Sequence, residues 1–187
     1  MKSWRALTLI FLLTSTSPLV GQIPIAEYAA RRAALASRLA DGVVVAFGGR
    51  APVRHWPPFY QLPAFRYLTG FLESDAAFIM AKTGSNVTST LFVPRPDARV
   101  ALYDGERVTA EGVGESLGLS AGYVDELPAF VDSLVATGLP LYSVADFQSN
   151  EYSASDSLTA GRMFVRGLQS RRPGLRVQEI NGLVDEL

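Results

Sequence analysis

The chain has 187 residues, 48% of them apolar, and a formal net charge of −1, which suits one globular domain with a substantial core. Because no run of Lys and Arg is long enough to neutralise several phosphates in a row, the charge pattern argues against nucleic acid as a partner. The sequence contains no cysteine, so disulfides, thiolate metal sites and a cysteine nucleophile are excluded.

The first residues are typical of a secretory signal peptide. Lys2 and Arg5 precede an apolar run over residues 6–13, which polar and small residues follow. That run is much shorter than the roughly 20 apolar residues that a membrane-spanning helix needs. We therefore interpret residues 1–21 as a signal peptide and expect the protein to be secreted or periplasmic, with a retained membrane anchor as the alternative.

The next segments predict an α/β layer structure. Residues 25–39 have apolar side chains at helical spacing and are followed by Asp41-Gly42, a pattern that predicts a helix. The apolar, β-branched run over residues 43–47 predicts a strand that is buried on both faces. Residues 50–63 contain four prolines, which exclude a regular helix or a central strand and indicate a long ordered loop.

The rest of the chain predicts further strands and helices. Strands are expected at residues 65–71, 76–82, 88–93 and 139–144, and the short turns between the first three favour antiparallel pairing. Helices are expected at residues 107–117, 127–136 and 158–171. A tight turn at Asp104-Gly105 and an extended piece at Tyr123-Val124 lie between these elements. The predicted fold class is α/β, with a mixed β-sheet flanked by helices.

Two glycine-rich patterns in residues 112–118 do not indicate a catalytic or cofactor site. Gly114-Glu115-Ser116-Leu117-Gly118 has the G-x-S-x-G spacing of a hydrolase nucleophile, but a helix is predicted before it, and the single histidine, His55, lies upstream. The same glycines depart from the spacing of a dinucleotide-binding fingerprint, and no strand leads into them. Both motifs are therefore rejected.

Other polar residues have a simpler structural explanation beside the chemical one. His55 is a conceivable metal ligand, but its neighbours are Arg54, Trp56 and prolines, so an ordinary loop histidine is favoured. Glu73 and Asp75 are conceivable as a general acid and base, although both are typical turn residues. No residue pattern by itself establishes an active site.

Residues 60–71 carry the most specific pattern in the sequence. They read YQLPAFRYLTGF, and this segment resembles the signature of the creatinase and aminopeptidase P N-terminal domain family, in which a polar loop leads into an F-x-Y-L-T-G-F strand. The order and spacing of the 28–32 helix, the 42–47 strand, the 91–94 strand and the 103–107 turn agree with that family. The resemblance extends over residues 25–187.

The resemblance implies a two-domain enzyme of which this chain is the non-catalytic first part. Family members have a second, pita-bread domain that binds two divalent metal ions, usually manganese, and that releases an N-terminal residue preceding proline. On that basis, residues 22–176 are the aminopeptidase P N-terminal domain, and residues 177–187 begin the connection to a catalytic domain that this chain lacks. We therefore expect no catalytic residue and no metal ligand in this chain.

The same resemblance implies that the domain selects substrates and forms oligomer contacts. Its expected partners are its own catalytic domain, a second copy of the protein, and peptides with proline as the second residue. The candidate residues for the substrate cleft or a subunit contact are His55, Trp56, Tyr60 and Tyr103, with packing in the core or at its rim as the alternative. Two other functions stay open: a stand-alone binding domain, and the N-terminal domain of a prolidase-type or creatinase-type hydrolase.

Overall fold

The computed structural model describes residues 23–51, 59–145 and 159–187. Its helices are α1 (Ile25–Arg38), α2 (Pro63–Thr69), α3 (Ala98–Asp104), α4 (Ala110–Leu117), α5 (Leu127–Val135), α6 (Ala160–Arg171) and α7 (Asn181–Asp185). Its strands are β1 (Gly42–Phe47), β2 (Ala77–Thr83), β3 (Asn86–Val93), β4 (Ser120–Tyr123), β5 (Leu141–Val144) and β6 (Val177–Glu179). None of the helices in the described part of the chain has the length and apolar character that crossing a bilayer requires.

The strands form one six-stranded mixed sheet in the order β4-β3-β2-β1-β5-β6. Strand β2 is antiparallel to both of its neighbours, β1 and β3, whereas the other pairs are parallel. It follows that β2 alone runs opposite to the other five strands. The carboxyl ends of those five strands therefore meet at one edge of the sheet, which we call the carboxyl edge.

Helices cover both faces of the sheet, as the central strand β1 shows. Val44 and Ala46 lie in a core that contains buried residues of α1, α2, α4 and α7. Val43 and Val45 lie in a second core with α5 and α6. The alternation arises because successive side chains of a strand point to opposite faces. The predicted strand buried on both faces and the predicted mixed sheet flanked by helices are confirmed.

The strand predicted at residues 65–71 is wrong, because this segment forms helix α2. Pro63 occupies the first turn, where its missing N–H is tolerated, and Gly70 ends the helix with a φ of 72°. Phe65 and Leu68 lie three residues apart on the buried face. The hydroxyl of Thr69 donates to the carbonyl of Phe65 at 2.8 Å, so this β-branched residue is accommodated within the helix.

The tight turn predicted at Asp104-Gly105 is the end of a helix that the sequence analysis did not predict. Helix α3 begins after Asp97, whose carboxylate accepts a hydrogen bond from the backbone N–H of Arg99 at 2.8 Å. It ends at Gly105, which has a φ of 84°. The extended piece predicted at Tyr123-Val124 is confirmed at Tyr123, which ends β4, and is wrong at Val124, which begins a short 3₁₀ helix. The other predicted helices and strands are confirmed apart from small shifts at their ends.

Residues 177–187 belong to the same packed unit as the residues before them. Strand β6 pairs with β5 in parallel. Ile180 and Val184, which follow it, are buried in the core beside β1 and α1. The assignment of this segment to a connection with a further domain stays a prediction.

An acidic residue on α5 joins this helix to the end of α6. Asp132 accepts hydrogen bonds from Arg172 Nε at 2.9 Å and Arg171 Nη2 at 3.3 Å. The hydrogen bond from Arg172, assisted by that from Arg171, lowers the pKa of Asp132. Because this pKa is lower in the folded than in the unfolded chain, the stabilisation is present above the unfolded pKa and is lost as pH falls through the folded value.

We expect Asp132→Asn to lower the free energy of unfolding by about 1 kcal/mol at pH 7, since a half-exposed ion cluster contributes no more than that. The deficit should shrink as the pH falls below the ordinary pKa of Asp, which urea unfolding at neutral and acidic pH would measure. Asp185→Asn is the control, because Asp185 has no ion-pair partner among the described residues. An equal deficit at both pH values would contradict the electrostatic explanation.

Candidate functional site

The carboxyl edge of the sheet gathers the connections that leave β1, β3 and β5. In open α/β sheets, ligands usually bind outside the carboxyl ends of the strands. Here Gly48 to Ala51 follow β1, Pro94 to Asp97 follow β3, and Asp75 comes shortly before β2. The segments 52–58 and 146–158 lie outside the described residues.

A groove of about 900 Å³ lies at this edge, between the β3–α3 connection and the start of β2. Its apolar lining includes Pro94, Pro96 and Val100. Most of its lining surface is apolar, which is usual for a binding surface. The charged residues of the lining are Asp75, Arg95, Asp97, Glu106 and Arg107.

Arg107 and Asp75 tie the wall of the groove to the exit of β1. Arg107 Nη2 donates to Ser74 Oγ at 3.1 Å, and its Nη1 lies 3.8 Å from Asp75 Oδ2. Asp75 has a φ of 62°, a left-handed conformation that Asp tolerates better than most residues. Its carboxylate accepts the backbone N–H of Ala51 at 3.2 Å. This turn therefore fixes the position of Ala51, the last described residue before segment 52–58.

Gln61 fixes the other end of that segment. Its Oε1 accepts the backbone N–H of Gly49 at 2.6 Å and that of Leu62 at 2.9 Å, and its Nε2 donates to the carbonyl of Glu73 at 2.7 Å. A Cβ on Gly48 would lie 2.9 Å from Gln61 Nε2, so a larger residue there would displace the amide from its hydrogen bonds. Nothing in the sequence next to Gln61 marks this role, and the one related signal is Gly48, whose missing side chain makes room for the amide.

The carboxylates of Glu73 and Asp75 are both engaged in backbone contacts. Glu73 accepts the backbone N–H of Val108 at 3.1 Å, which holds the residues just before α4 against this turn. Asp75 holds Ala51, as described above. Both side chains therefore position the loops around the groove.

Arg95 lines the groove on the side of β4 and is held by three neighbours. Its guanidinium lies 4.2 Å from the centre of the Tyr123 ring, and it donates to Asp125 at 3.0 Å and to Glu126 at 2.8 Å. The hydrogen bond to Asp125 is the main cause that raises the pKa of Arg95. The sequence analysis missed this group because it depends on β4 lying beside β3.

The fold, the groove and its contacts coincide with a match to a family model. Residues 28–142 match the model described as "Aminopeptidase P, N-terminal domain", a range that contains β1 to β4 and the groove. The chain belongs to the aminopeptidase P N-terminal domain family. The family resemblance deduced from residues 60–71 is thereby confirmed.

Two curated relatives show how the aminopeptidase P N-terminal domain occurs in longer proteins. The chain is 33% identical over 106 residues to "Intermediate cleaving peptidase 55" of Schizosaccharomyces pombe, a match that covers 53% of this chain and 21% of the relative. It is 27% identical over 93 residues to "Xaa-Pro aminopeptidase" of Haemophilus influenzae, covering 49% of this chain and 22% of the relative. The matches thus span about a fifth of each relative's length, and both relatives are peptidases.

A solved structure shows the same fold. The aminopeptidase P of E. coli, in its low-pH form, superposes with a TM-score of 0.69 and 22% identity over 87% of this chain and 38% of that one. The mixed sheet and its flanking helices therefore match the fold of an aminopeptidase P N-terminal domain.

The residues predicted for the site have different positions in this aminopeptidase P N-terminal domain. His55 and Trp56 lie outside the described residues. Tyr60 is 80% exposed and follows Phe59, whose ring contacts Gly49. Tyr103 is 82% exposed and lies on α3, beside Leu102, which is 80% exposed and lines the groove. Neither tyrosine contributes to the core. Gln61, which follows Tyr60, and Arg107, which comes shortly after Tyr103, both donate to the turn at residues 73–75.

Proposed function

We propose that this chain is the N-terminal, substrate-selecting and oligomer-forming domain of a secreted Xaa-Pro aminopeptidase, a metallopeptidase that releases an N-terminal residue preceding proline. The observation that carries the proposal is the apolar groove at the carboxyl edge, beside the exposed Leu102 and Tyr103, in a domain of the aminopeptidase P family. The name of the H. influenzae relative supports the choice of substrate class.

Helix α3 supplies the surface that this function needs. Leu102 and Tyr103 are large apolar side chains that lie almost fully in solvent, where they gain nothing from the core of the domain. Large apolar groups that are exposed side by side mark contact surfaces, and tyrosine is enriched among the residues that dominate binding energy at interfaces. We therefore assign Leu102, Tyr103 and the adjoining groove to contact with the catalytic domain, a second copy, or the peptide between them.

The proposal places the hydrolytic chemistry outside this chain. Within residues 23–51, 59–145 and 159–187, no group of three or more His, Cys, Asp or Glu side chains is placed to hold a metal ion. In this proposal the two divalent ions, manganese, are held by a separate catalytic domain. No step of bond cleavage is assigned to a residue of this chain.

The decisive experiment uses the complete protein encoded by the reading frame. With added manganese, it should release the first residue of a tripeptide whose second residue is proline, and it should leave the matching peptide with alanine in that position intact. An inert product, or a reading frame that stops at Leu187, would favour a stand-alone binding domain. Cleavage of dipeptides alone would instead favour a prolidase-type hydrolase.

Tyr103→Ala in the complete enzyme should lower kcat/KM for the proline tripeptide about tenfold, because truncating a buried aromatic contact at an interface costs more than about 1 kcal/mol. Metal content should not change. Met163→Ala is the matched control, since Met163 is an exposed apolar residue on α6 that does not line the groove. Kinetics equal to those of the wild-type enzyme would remove Tyr103 from the substrate and subunit contacts.

A further inference from the structure

A second pocket lies at the opposite edge of the sheet from the groove. Its volume is about 410 Å³, and it opens between α1 and the hairpin that joins β2 to β3. Its lining includes Arg32 of α1, Lys82 near the end of β2, and Ser85 and Ser89 of the hairpin. We call it the α1–hairpin pocket.

Two cations line the α1–hairpin pocket, and no carboxylate does. Arg32 is only 8% exposed, and its Nη1 donates to the carbonyl of Leu68 at 3.0 Å. Lys82 Nζ donates to the carbonyls of Ala36 at 2.9 Å and Leu39 at 2.6 Å. Among the described residues, neither cation forms an ion pair, and the carboxylate of nearby Asp41 accepts the N–H of Gly84 at 2.9 Å.

The hydrogen bonds that Arg32 and Lys82 make to backbone carbonyls offset their positive charges only in part. Both bind carbonyls at the carboxyl ends of helices, Arg32 at α2 and Lys82 at α1, where each helix dipole is equivalent to roughly half a negative charge. Two full charges are thus offset only in part. Burial lowers the pKa of Arg32, because desolvation disfavours the charged form of the guanidinium.

The pocket also holds hydrogen-bond donors with free capacity. A guanidinium has five N–H donors and an ammonium has three, whereas Arg32 and Lys82 use one and two of them on the described residues. Their remaining donors have no hydrogen-bond partner among the described residues. The hydroxyls of Ser85 and Ser89 line the same space.

We propose that the α1–hairpin pocket binds a small oxyanion, a carboxylate or a phosphate, through the charges of Lys82 and Arg32 and the hydroxyl of Ser89. The chemistry that the two anions share is a compact group of acceptor oxygens with negative charge, which complements paired cations and hydroxyl donors. This site is separate from the groove at the carboxyl edge and does not depend on the function proposed above.

The test is a titration of the ¹⁵N-labelled protein with sodium phosphate, and separately with sodium acetate, at constant ionic strength with chloride as the reference. We expect saturable amide shifts centred on Gly84, Ser85 and Ser89. The anion that saturates these shifts at the lower concentration is the one that the pocket prefers, a phosphate or a carboxylate. Lys82→Met should weaken the affinity at least about tenfold, since it removes a hydrogen-bonding charge. Arg166→Met should have no effect, because Arg166 is an exposed residue of α6 and does not line this pocket.

Because Lys82 also holds the end of α1, Ser89→Ala is the second variant. It keeps both cations and should weaken binding several-fold through the loss of one donor, without a change in the thermal unfolding midpoint. The proposal is overturned if neither anion gives saturable shifts, if the saturable shifts are centred elsewhere, or if Ser89→Ala binds both anions as the wild-type protein does.

Discussion

Gly70→Ala is expected to lower the free energy of unfolding by about 3 kcal/mol, although it adds a single methyl group. Gly70 has a φ of 72°, in the left-handed region, where an L-residue costs roughly 1–2 kcal/mol. The new Cβ would also lie 2.6 Å from Cε2 of Tyr28, whose ring would have to move. Urea unfolding of both proteins, followed by far-UV circular dichroism, measures the difference.

Gly84→Ala separates the backbone effect from the steric one. Gly84 has a similar φ of 59°, but nothing lies within 4 Å of the position its Cβ would take, so a loss of about 1 kcal/mol is expected. In a Tyr28→Ala background, Gly70→Ala should likewise lose only about the backbone part. If Gly70→Ala and Gly84→Ala destabilise the protein equally, α1 does not pack on the end of α2 as described.

Gly70 is also one of the signals that make residues 63–69 a helix instead of the predicted strand. Phe65, Tyr67 and Thr69 are residue types that favour strands, and the prediction followed them. Pro63 at the first helical turn and Gly70 just after the last one are the helix boundary signals that prevailed. The burial of Phe65 and Leu68 against the sheet then stabilises a helix of only seven residues, which local propensity alone would leave marginal.

Strand β1 could be predicted because its signal is entirely local. An unbroken apolar run of this length is typical of a strand with helices on both sides, and both cores confirm it. Helix α3 has no such signal, since it is short, mostly exposed, and preceded by two prolines. Its only clear marker is Asp97 at the N-cap.

The candidate site was less predictable than the fold because its contacts join distant parts of the chain. Tyr60 and Tyr103 were identified only through a family resemblance, and nothing in their local sequence distinguishes them from core aromatics. Arg107 reaches Ser74 across 33 positions, and Gln61 reaches Gly49 across 12. Hydrophobic periodicity contains no information about such pairs, so the groove becomes visible only when the strands are paired.

Gln61→Leu is expected to lower the free energy of unfolding by about 3 kcal/mol. The substitution removes one side chain that serves Gly49, Leu62 and Glu73 at once. It leaves the N–H of Gly49 and the carbonyl of Glu73 without partners beside an apolar group, and each such partly buried group costs about 1–3 kcal/mol. Urea unfolding measures this loss.

Gln61→Glu keeps the size of the side chain and the acceptor for Gly49, but it sets a carboxylate oxygen against the carbonyl of Glu73. Because a protonated carboxyl group can donate to that carbonyl as the amide does, Gln61→Glu should show a smaller deficit than Gln61→Leu when the urea unfolding is measured at acidic pH. The two variants should also rank in the same order in the kcat/KM of the complete enzyme, since Gln61 fixes the position from which Tyr60 and the residues before it extend. Equal stability of the two variants would mean that the Gly49 hydrogen bond contributes little, and that the carboxyl edge is held by Asp75 and Arg107 alone.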